Sequence, residues 1–149
     1  MEDTELSDRR ANSMGWSEEV LVGAGFSRLR NTSVFQNAHG EYVLSPGVGP
    51  GRNGRYWFDL RERNIAKLPI PATNVLLRFV ERGFAVVPLL EFKQHLNDRT
   101  RRLTSAGPAY GFNSYFADGV VTLRSSSDST YSFMTKLLDR AGAADGLGQ

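Results

Sequence analysis

Arginines and aromatic rings are interleaved in the second half of this 149-residue sequence. Arg99, Arg101 and Arg102 fall within four consecutive positions, shortly before a ring-bearing segment that contains Tyr115. Guanidinium groups pair with phosphates and base edges, and aromatic rings stack on unpaired bases. By strand alternation, Tyr115 should point away from the neighbouring phenylalanines, which suit a core. The pattern therefore predicts these three arginines and Tyr115 as nucleic-acid contacts, the alternative being that the arginines only solvate a loop.

A second group of arginines surrounds a loop rich in glycine and proline, residues 45–55. Arg52 and Arg55 lie in this loop, and Arg61 and Arg63 follow the strand predicted after it. Loop amides and guanidinium groups together can bind a phosphate, so these four arginines complete the predicted binding face. The alternative is that glycine and proline serve only backbone geometry. The loop matches G-x-G-x-x-G, but it leads into a strand, whereas a dinucleotide fingerprint opens a helix.

Two acidic residues and a lysine form a different candidate site. Glu91 and Lys93 follow the apolar run Phe84–Leu90, and Asp59 lies in a predicted strand. This pattern resembles the PD-(D/E)xK nucleases, in which the acids hold a divalent metal and the lysine positions the attacking water. The resemblance implies a Mg²⁺-dependent endonuclease with Asp59, Glu91 and Lys93 as catalytic residues, and oxygen ligands do suit Mg²⁺. Alternatively, Glu91 and Lys93 lie on a surface helix and point in different directions.

The charge of the chain is unevenly distributed, although its net value is only +2. Residues 1–19 carry six acids and two arginines, whereas residues 20–110 carry thirteen bases against six acids. Of the 18 basic residues, 15 are arginine, which suits phosphates and base edges better than lysine does. A basic, arginine-rich middle favours a nucleic-acid partner, DNA before RNA. The alternative is an arginine-rich but merely solvated surface.

A third class of function is a protein-interaction or inhibitor domain whose exposed aromatic residues contact another protein. Salt distinguishes it from the first class, because nucleic-acid binding releases condensed counterions and weakens steeply as salt rises. A nuclease would add Mg²⁺-dependent cleavage. We take a small nucleic-acid-binding domain as the leading hypothesis, with the nuclease as the first alternative.

Several kinds of site lack the residues they need. The chain has no cysteine, and its two histidines, His39 and His95, lie far apart, which argues against disulfides, thiol catalysis and structural zinc. We therefore expect no cofactor or metal outside the nuclease alternative. The acidic start lacks the apolar stretch of a secretory signal, and no apolar run is long enough to span a membrane. These features predict a cytoplasmic protein with no membrane partner.

The predicted architecture is α+β: a single domain with a mostly antiparallel, hairpin-built sheet and two or three short helices. Apolar runs separated by turn residues predict three hairpins, with the Asp118-Gly119 turn the strongest signal. Arg55–Leu60 is predicted as a strand with Tyr56, Phe58 and Leu60 on one face and Trp57, Asp59 and Arg61 on the other.

The remaining segments complete the predicted organisation. Residues 1–15 are predicted to be a disordered acidic tail, residues 16–142 the globular domain and residues 143–149 a frayed end. Ser17 should begin a short helix, and a second should run from Leu90 to Asn97. Asp98–Pro108 is predicted as an arginine-bearing loop. The apolar spacing from Phe133 to Leu138 predicts a final amphipathic helix.

Overall fold

Much of this chain forms short strands, in which apolar residues alternate with polar ones, and the strands pair as two sheets. The computed structural model describes residues 17–30, 32–50 and 55–148. Its strands are β1 (Ser27–Arg28), β2 (Val34–Gln36), β3 (Tyr42–Leu44), β4 (Gly49–Pro50), β5 (Tyr56–Arg61), β6 (Thr73–Phe79), β7 (Gly83–Pro88), β8 (Arg101–Thr104), β9 (Gly107–Ala117), β10 (Val120–Ser125) and β11 (Ser132–Lys136). The helices are α1 (residues 17–23), α2 (Glu62–Ile65), α3 (Leu89–Lys93) and α4 (Arg140–Gly148), with a 3₁₀ turn at Ile70–Ala72.

Sheet A has five strands in the order β1-β2-β3-β6-β7. Its neighbours are antiparallel except for β3 and β6, which run parallel. The chain beyond β11 returns to the outer strand β7, where the Phe84 and Leu138 backbones exchange two hydrogen bonds of 2.8 and 2.7 Å. Gly83 makes this approach possible, because a Cβ there would lie 2.6 Å from the Leu138 carbonyl oxygen.

Sheet B runs β11-β10-β9-β5-β4 and is antiparallel. Its long central strand β9 pairs with β5 along one edge through residues 109–114. On the other edge, β8 pairs with residues 107–110 and β10 with residues 112–117. Strands β8 and β10 therefore lie end to end along β9, and their junction falls at Gly111.

The two sheets pack face to face over a shared apolar core. Phe58 and Phe112 of sheet B stack with ring centroids 5.6 Å apart, and Phe92 of α3 contacts both rings edge-on. Sheet A contributes Leu77 and Phe79, both fully buried, to the same cluster. A second cluster lies on the other side of sheet A. There α1 and α4 cover the sheet, with the buried residues Val20, Leu21, Phe26, Phe35, Val43, Leu76, Phe84, Ala143 and Leu147.

The α+β class and the mostly antiparallel, hairpin-built pairing are confirmed. The three predicted hairpins are β2–β3, β6–β7 and β9–β10, and the Asp118-Gly119 turn has positive φ at both residues. Strand β5 alternates as expected, with Phe58 and Leu60 fully buried and the intervening side chains facing outward. The strands divide between two sheets rather than one, and the described residues contain four short helices.

The prediction of a helix around Phe133 is wrong. Residues 132–136 form β11, in which Phe133 and Thr135 are half-buried and their neighbours exposed, the two-residue period of a strand. These residues pair with the edge of β10, and the helical spacing in the sequence does not reveal that such a partner strand exists. Residues 143–148, predicted as a frayed end, belong to helix α4, which buries Ala143 and Leu147 against sheet A.

Two further segments differ from expectation. The predicted arginine loop becomes strand β8 from Arg101 onward, because β9 is longer than its neighbour β10 and offers backbone groups beyond it. The helix predicted from Leu90 to Asn97 spans only Leu89–Lys93, after which the chain continues in turns. The predicted tail, residues 1–15, lies outside the described residues.

Candidate nucleic-acid interface

The outer face of sheet B is the side turned away from sheet A. Paired residues of neighbouring antiparallel strands point to the same side, so the strand registers define its membership. Trp57, Asn113 and Arg124 form one row, and Arg61, Ala109 and Arg102 form another. Buried positions on this face are occupied by small residues such as Ala109 and Gly111, and its larger side chains are half-buried or exposed. The face thus leaves its rings and charges accessible.

Tyr115 is an aromatic residue of the outer face that two arginines contact. The guanidinium carbon of Arg124 lies 4.8 Å from the centre of its ring, and that of Arg55 lies 5.6 Å away. Nη1 of Arg55 also donates a hydrogen bond of 3.1 Å to the tyrosine hydroxyl. Cations over the ring fix its orientation and add positive charge to an aromatic surface.

Asp59 is the acidic member of the face and is paired with Arg102. Nη2 of Arg102 donates to Oδ1 of Asp59 at 2.6 Å, and the two side chains are 42% and 25% exposed. Gly111 permits this contact, since a Cβ there would lie 3.0 Å from Oδ1 of Asp59 and 3.1 Å from the Arg102 guanidinium carbon. The junction between β8 and β10 is therefore the place where Arg102 reaches across β9 to β5.

Two small clefts open on either side of Asp59, and Trp57 contributes to both. The larger has a volume of about 260 Å³ and is lined by Trp57, Asp59, Arg61 and Asn64 together with residues of the chain before β4. The smaller, about 150 Å³, lies between Trp57 and Arg102 above Gly111. The face thus has recesses next to an indole ring, each edged by an arginine.

Four of the predicted nucleic-acid contacts come together on this face: Arg55, Arg61, Arg102 and Tyr115. Three others do not belong to its rows. Arg63 lies on α2, Arg99 lies in the turn before β8, and Arg101 points to the opposite side of β8 from Arg102. Nε of Arg101 donates to Oε2 of Glu62 at 2.7 Å, and this hydrogen bond, with the carboxylate charge, raises the pKa of Arg101. Arg52 lies outside the described residues.

The residues of the nuclease hypothesis are not brought together. Asp59 faces outward beside Arg102, whereas the neighbouring Phe58 faces inward and contacts Phe92 of α3. Glu91 and Lys93 are exposed on that same helix, on the opposite side of sheet B from Asp59. Among the described residues, no group of three or more acidic or histidine side chains could hold a metal ion.

Two members of the face were not predicted as contacts. Trp57 was predicted to share a strand face with Asp59 and Arg61 but was not assigned a role, and Arg124 ends the apolar run of β10. The signal for both was alternation, since each outward residue follows a buried one, Tyr56 and Leu123. Pairing between distant strands then places them in one row with Asn113.

Comparison with known proteins finds no matching family, no matching curated protein and no matching solved structure. Of the helices in the described parts of the chain, none combines the length and apolar character needed to cross a membrane.

Proposed function

We propose that this protein binds single-stranded nucleic acid, DNA in the first instance, on the outer face of sheet B. The observation that carries the proposal is the grouping of four arginines with two aromatic rings on one accessible sheet surface. The arginines are Arg55, Arg61, Arg102 and Arg124, and the rings are Trp57 and Tyr115.

The chemistry of the face favours an unpaired strand over a duplex. Bases in a duplex are stacked on each other and hide their flat surfaces, whereas unpaired bases can stack on aromatic side chains. The guanidinium groups of Arg55 and Arg124 lie over the Tyr115 ring, so a base can stack on the ring or on a guanidinium plane with its phosphate near a positive charge. Stacking on a protein ring contributes about 1–3 kcal/mol per base.

The electrostatics of the face also favour a polyanion. The four arginines outnumber the one acid among their rows, Asp59, and that acid is already paired with Arg102. Arginine stays charged throughout the physiological pH range, so the face is positive under all ordinary conditions. Each arginine that neutralises a phosphate releases condensed counterions and adds to the salt dependence of binding, roughly −0.7 per contact on logarithmic axes for a single strand.

The test is the salt dependence of binding to a fluorescent oligothymidylate, measured by anisotropy at several salt concentrations. We expect the double variant Arg61→Ala, Arg102→Ala to bind more weakly and to lose roughly 1.4 from the slope of log K against log salt. The matched control is Arg28→Ala, Arg30→Ala. It removes the same charge from exposed positions at and just after the edge strand of sheet A.

Two results would contradict the proposal. The first is no binding of single-stranded DNA or RNA by the wild type at low salt. The second is equal loss of slope in the two double variants, which would show that net charge rather than this face determines affinity. Preferred binding of duplex over single-stranded DNA would show that base stacking on Trp57 and Tyr115 does not determine binding.

A further inference from the structure

The larger cleft beside Trp57 differs from the rest of the outer face because it presents hydrogen-bonding groups rather than charge alone. Its lining includes the carboxylate of Asp59, the carboxamide of Asn64 and the indole of Trp57, with Arg61 at its edge. A purely electrostatic surface for a phosphate chain has no use for a carboxylate, which repels phosphate. Asp59 pairs with Arg102 and also offers the cleft a hydrogen-bond acceptor, which suits a ligand that donates hydrogen bonds.

Asp59 retains acceptor capacity. A carboxylate has two oxygens with about four acceptor positions. Among the described residues, Asp59 accepts one hydrogen bond, at Oδ1 from Arg102, and its side chain is 25% exposed. The ion pair with Arg102 also keeps this carboxylate in place on the strand, because the guanidinium reaches it across Gly111. Asp59 is thus a held acceptor at the wall of an open cleft.

The size of the cleft suits one planar group. Its volume of about 260 Å³ lies just below the range of typical small-molecule pockets, which begins at roughly 300 Å³. Trp57 and Asp59 are two residues apart on the same face of β5, so their Cα atoms are separated by about 6.6 Å. A nucleobase stacked against the indole can therefore direct its polar edge toward the carboxylate.

We infer that this cleft selects guanine within a single strand, an inference that rests on the proposed function. The Watson–Crick edge of guanine carries two neighbouring donors, N1–H and N2–H₂, which match the two oxygens of a carboxylate. Cytosine and adenine offer only an amino group there, and thymine a single N–H. The Asn64 carboxamide can donate to the guanine O6, and Arg61 can bind the adjoining phosphate. A good bidentate contact of this kind discriminates between bases by roughly tenfold or more.

The experiment compares oligothymidylates of about ten residues that carry one central dG, dA or dC with the plain oligomer, by anisotropy competition. We expect the dG oligomer to bind the wild type about tenfold more tightly than the others. Asp59→Asn should reduce this preference to about twofold or less. The same variant should bind plain oligothymidylate more tightly than the wild type, because it removes a negative charge from the face and releases Arg102.

Control and second variants separate recognition from folding. Asp118→Asn makes the same charge change in the β9–β10 turn, where asparagine tolerates the positive φ of 50°, and should keep the guanine preference. Asn64→Ala, on α2, should weaken the preference about threefold while thermal stability stays close to that of the wild type. In a Trp16→Phe background, Trp57 is the remaining tryptophan of the two in the chain. Its fluorescence should respond to guanosine monophosphate more than to the other nucleotides.

The outcomes distinguish this inference from the proposed function. Salt-dependent binding of all four oligomers with equal affinity would overturn the guanine site and leave the nucleic-acid-binding face intact. A guanine preference that survives Asp59→Asn would also overturn it, because base recognition would then lie elsewhere. Failure of the wild type to bind any oligomer would overturn both.

Discussion

The outer faces of the two sheets differ in whether other parts of the chain cover them. On sheet A, the outward side chains include Phe35, Leu76 and Phe84, and helices α1 and α4 cover them to form a second core. On sheet B, the outward side chains include Trp57, Tyr115 and four arginines, and they stay half-buried or exposed. The same alternation of side chains thus produces a face that helices bury on sheet A and a face that stays accessible on sheet B.

The difference lies in the residue types at the outward positions. Apolar outward residues on sheet A gain free energy when a helix removes them from water, at about 25 cal/mol per Å². Arginines on sheet B would lose hydration under such a cover without gaining a partner. The outer face of sheet B therefore suits a charged ligand that supplies its own hydrogen-bonding groups, whereas that of sheet A suits only protein.

The largest expected effect tests the covered side. Leu21 is fully buried between α1 and sheet A, so Leu21→Ala removes its contacts and leaves a cavity. We expect the free energy of unfolding to fall by about 2–5 kcal/mol, measured by urea denaturation. Nucleic-acid affinity of the folded fraction should not change. A loss below about 1 kcal/mol would mean that α1 contributes little to the core.

An intermediate effect tests the open side. Tyr115→Ala removes a ring from the outer face of sheet B and should weaken binding of a single strand by about 1–3 kcal/mol, measured by anisotropy. Tyr115→Phe keeps the ring and loses only the hydroxyl that accepts a hydrogen bond from Arg55. The phenylalanine variant should therefore retain most of the affinity. Equal losses in the two variants would show that the hydroxyl matters and that stacking does not.

The smallest expected effect uses pH to separate stability from binding. The ring of His95 stacks on Phe133 of β11 at 4.7 Å, and burial lowers the pKa of His95 below its ordinary value of 6.5. The unfolded chain thus binds more protons between the folded pKa and 6.5. The contribution of His95 to stability is complete above about pH 6.5 and decreases as the pH falls toward the folded pKa.

This pH effect should appear in stability alone. Thermal or urea unfolding between about pH 7.5 and 5.5 should show the decrease in the wild type and a smaller one in His95→Gln. Binding to the outer face relies on arginine, a residue type that is always charged in proteins, so affinity for nucleic acid should stay constant. A stability that rises toward acid pH would contradict the assignment of a lowered pKa.

Local patterns in the sequence were enough to predict the fold class and the three hairpins. The Asp118-Gly119 turn, with positive φ at both positions, is a signal that needs no tertiary information. The failures occurred where a partner decides the structure. The segment Phe133 to Leu138 has helical spacing, but residues 132–136 pair with β10 as a strand. Arg101–Thr104 becomes a strand because β9 extends past β10.

The candidate site was partly predictable for the same reason. Alternation within β5 already placed Trp57, Asp59 and Arg61 on one side of the strand. Their neighbours Arg102 and Arg124 join them only through registers between segments about 40 to 70 residues apart, which one sequence does not reveal. Arg101 illustrates this limit. It lies one residue before Arg102 on β8, so its side chain points to the other side of the strand and pairs with Glu62.

The return of the chain to β7 has a consequence for self-association. An exposed edge strand with a run such as Phe84, Ala85, Val86 and Val87 is a template on which other chains can add strands and aggregate. Leu138 occupies the backbone groups of Phe84 at this edge, and α4 then covers the adjoining surface. Residues 138–148 therefore protect the outer edge of β7 from pairing with other chains. A chain cut before Leu138 should form intermolecular β-structure through β7.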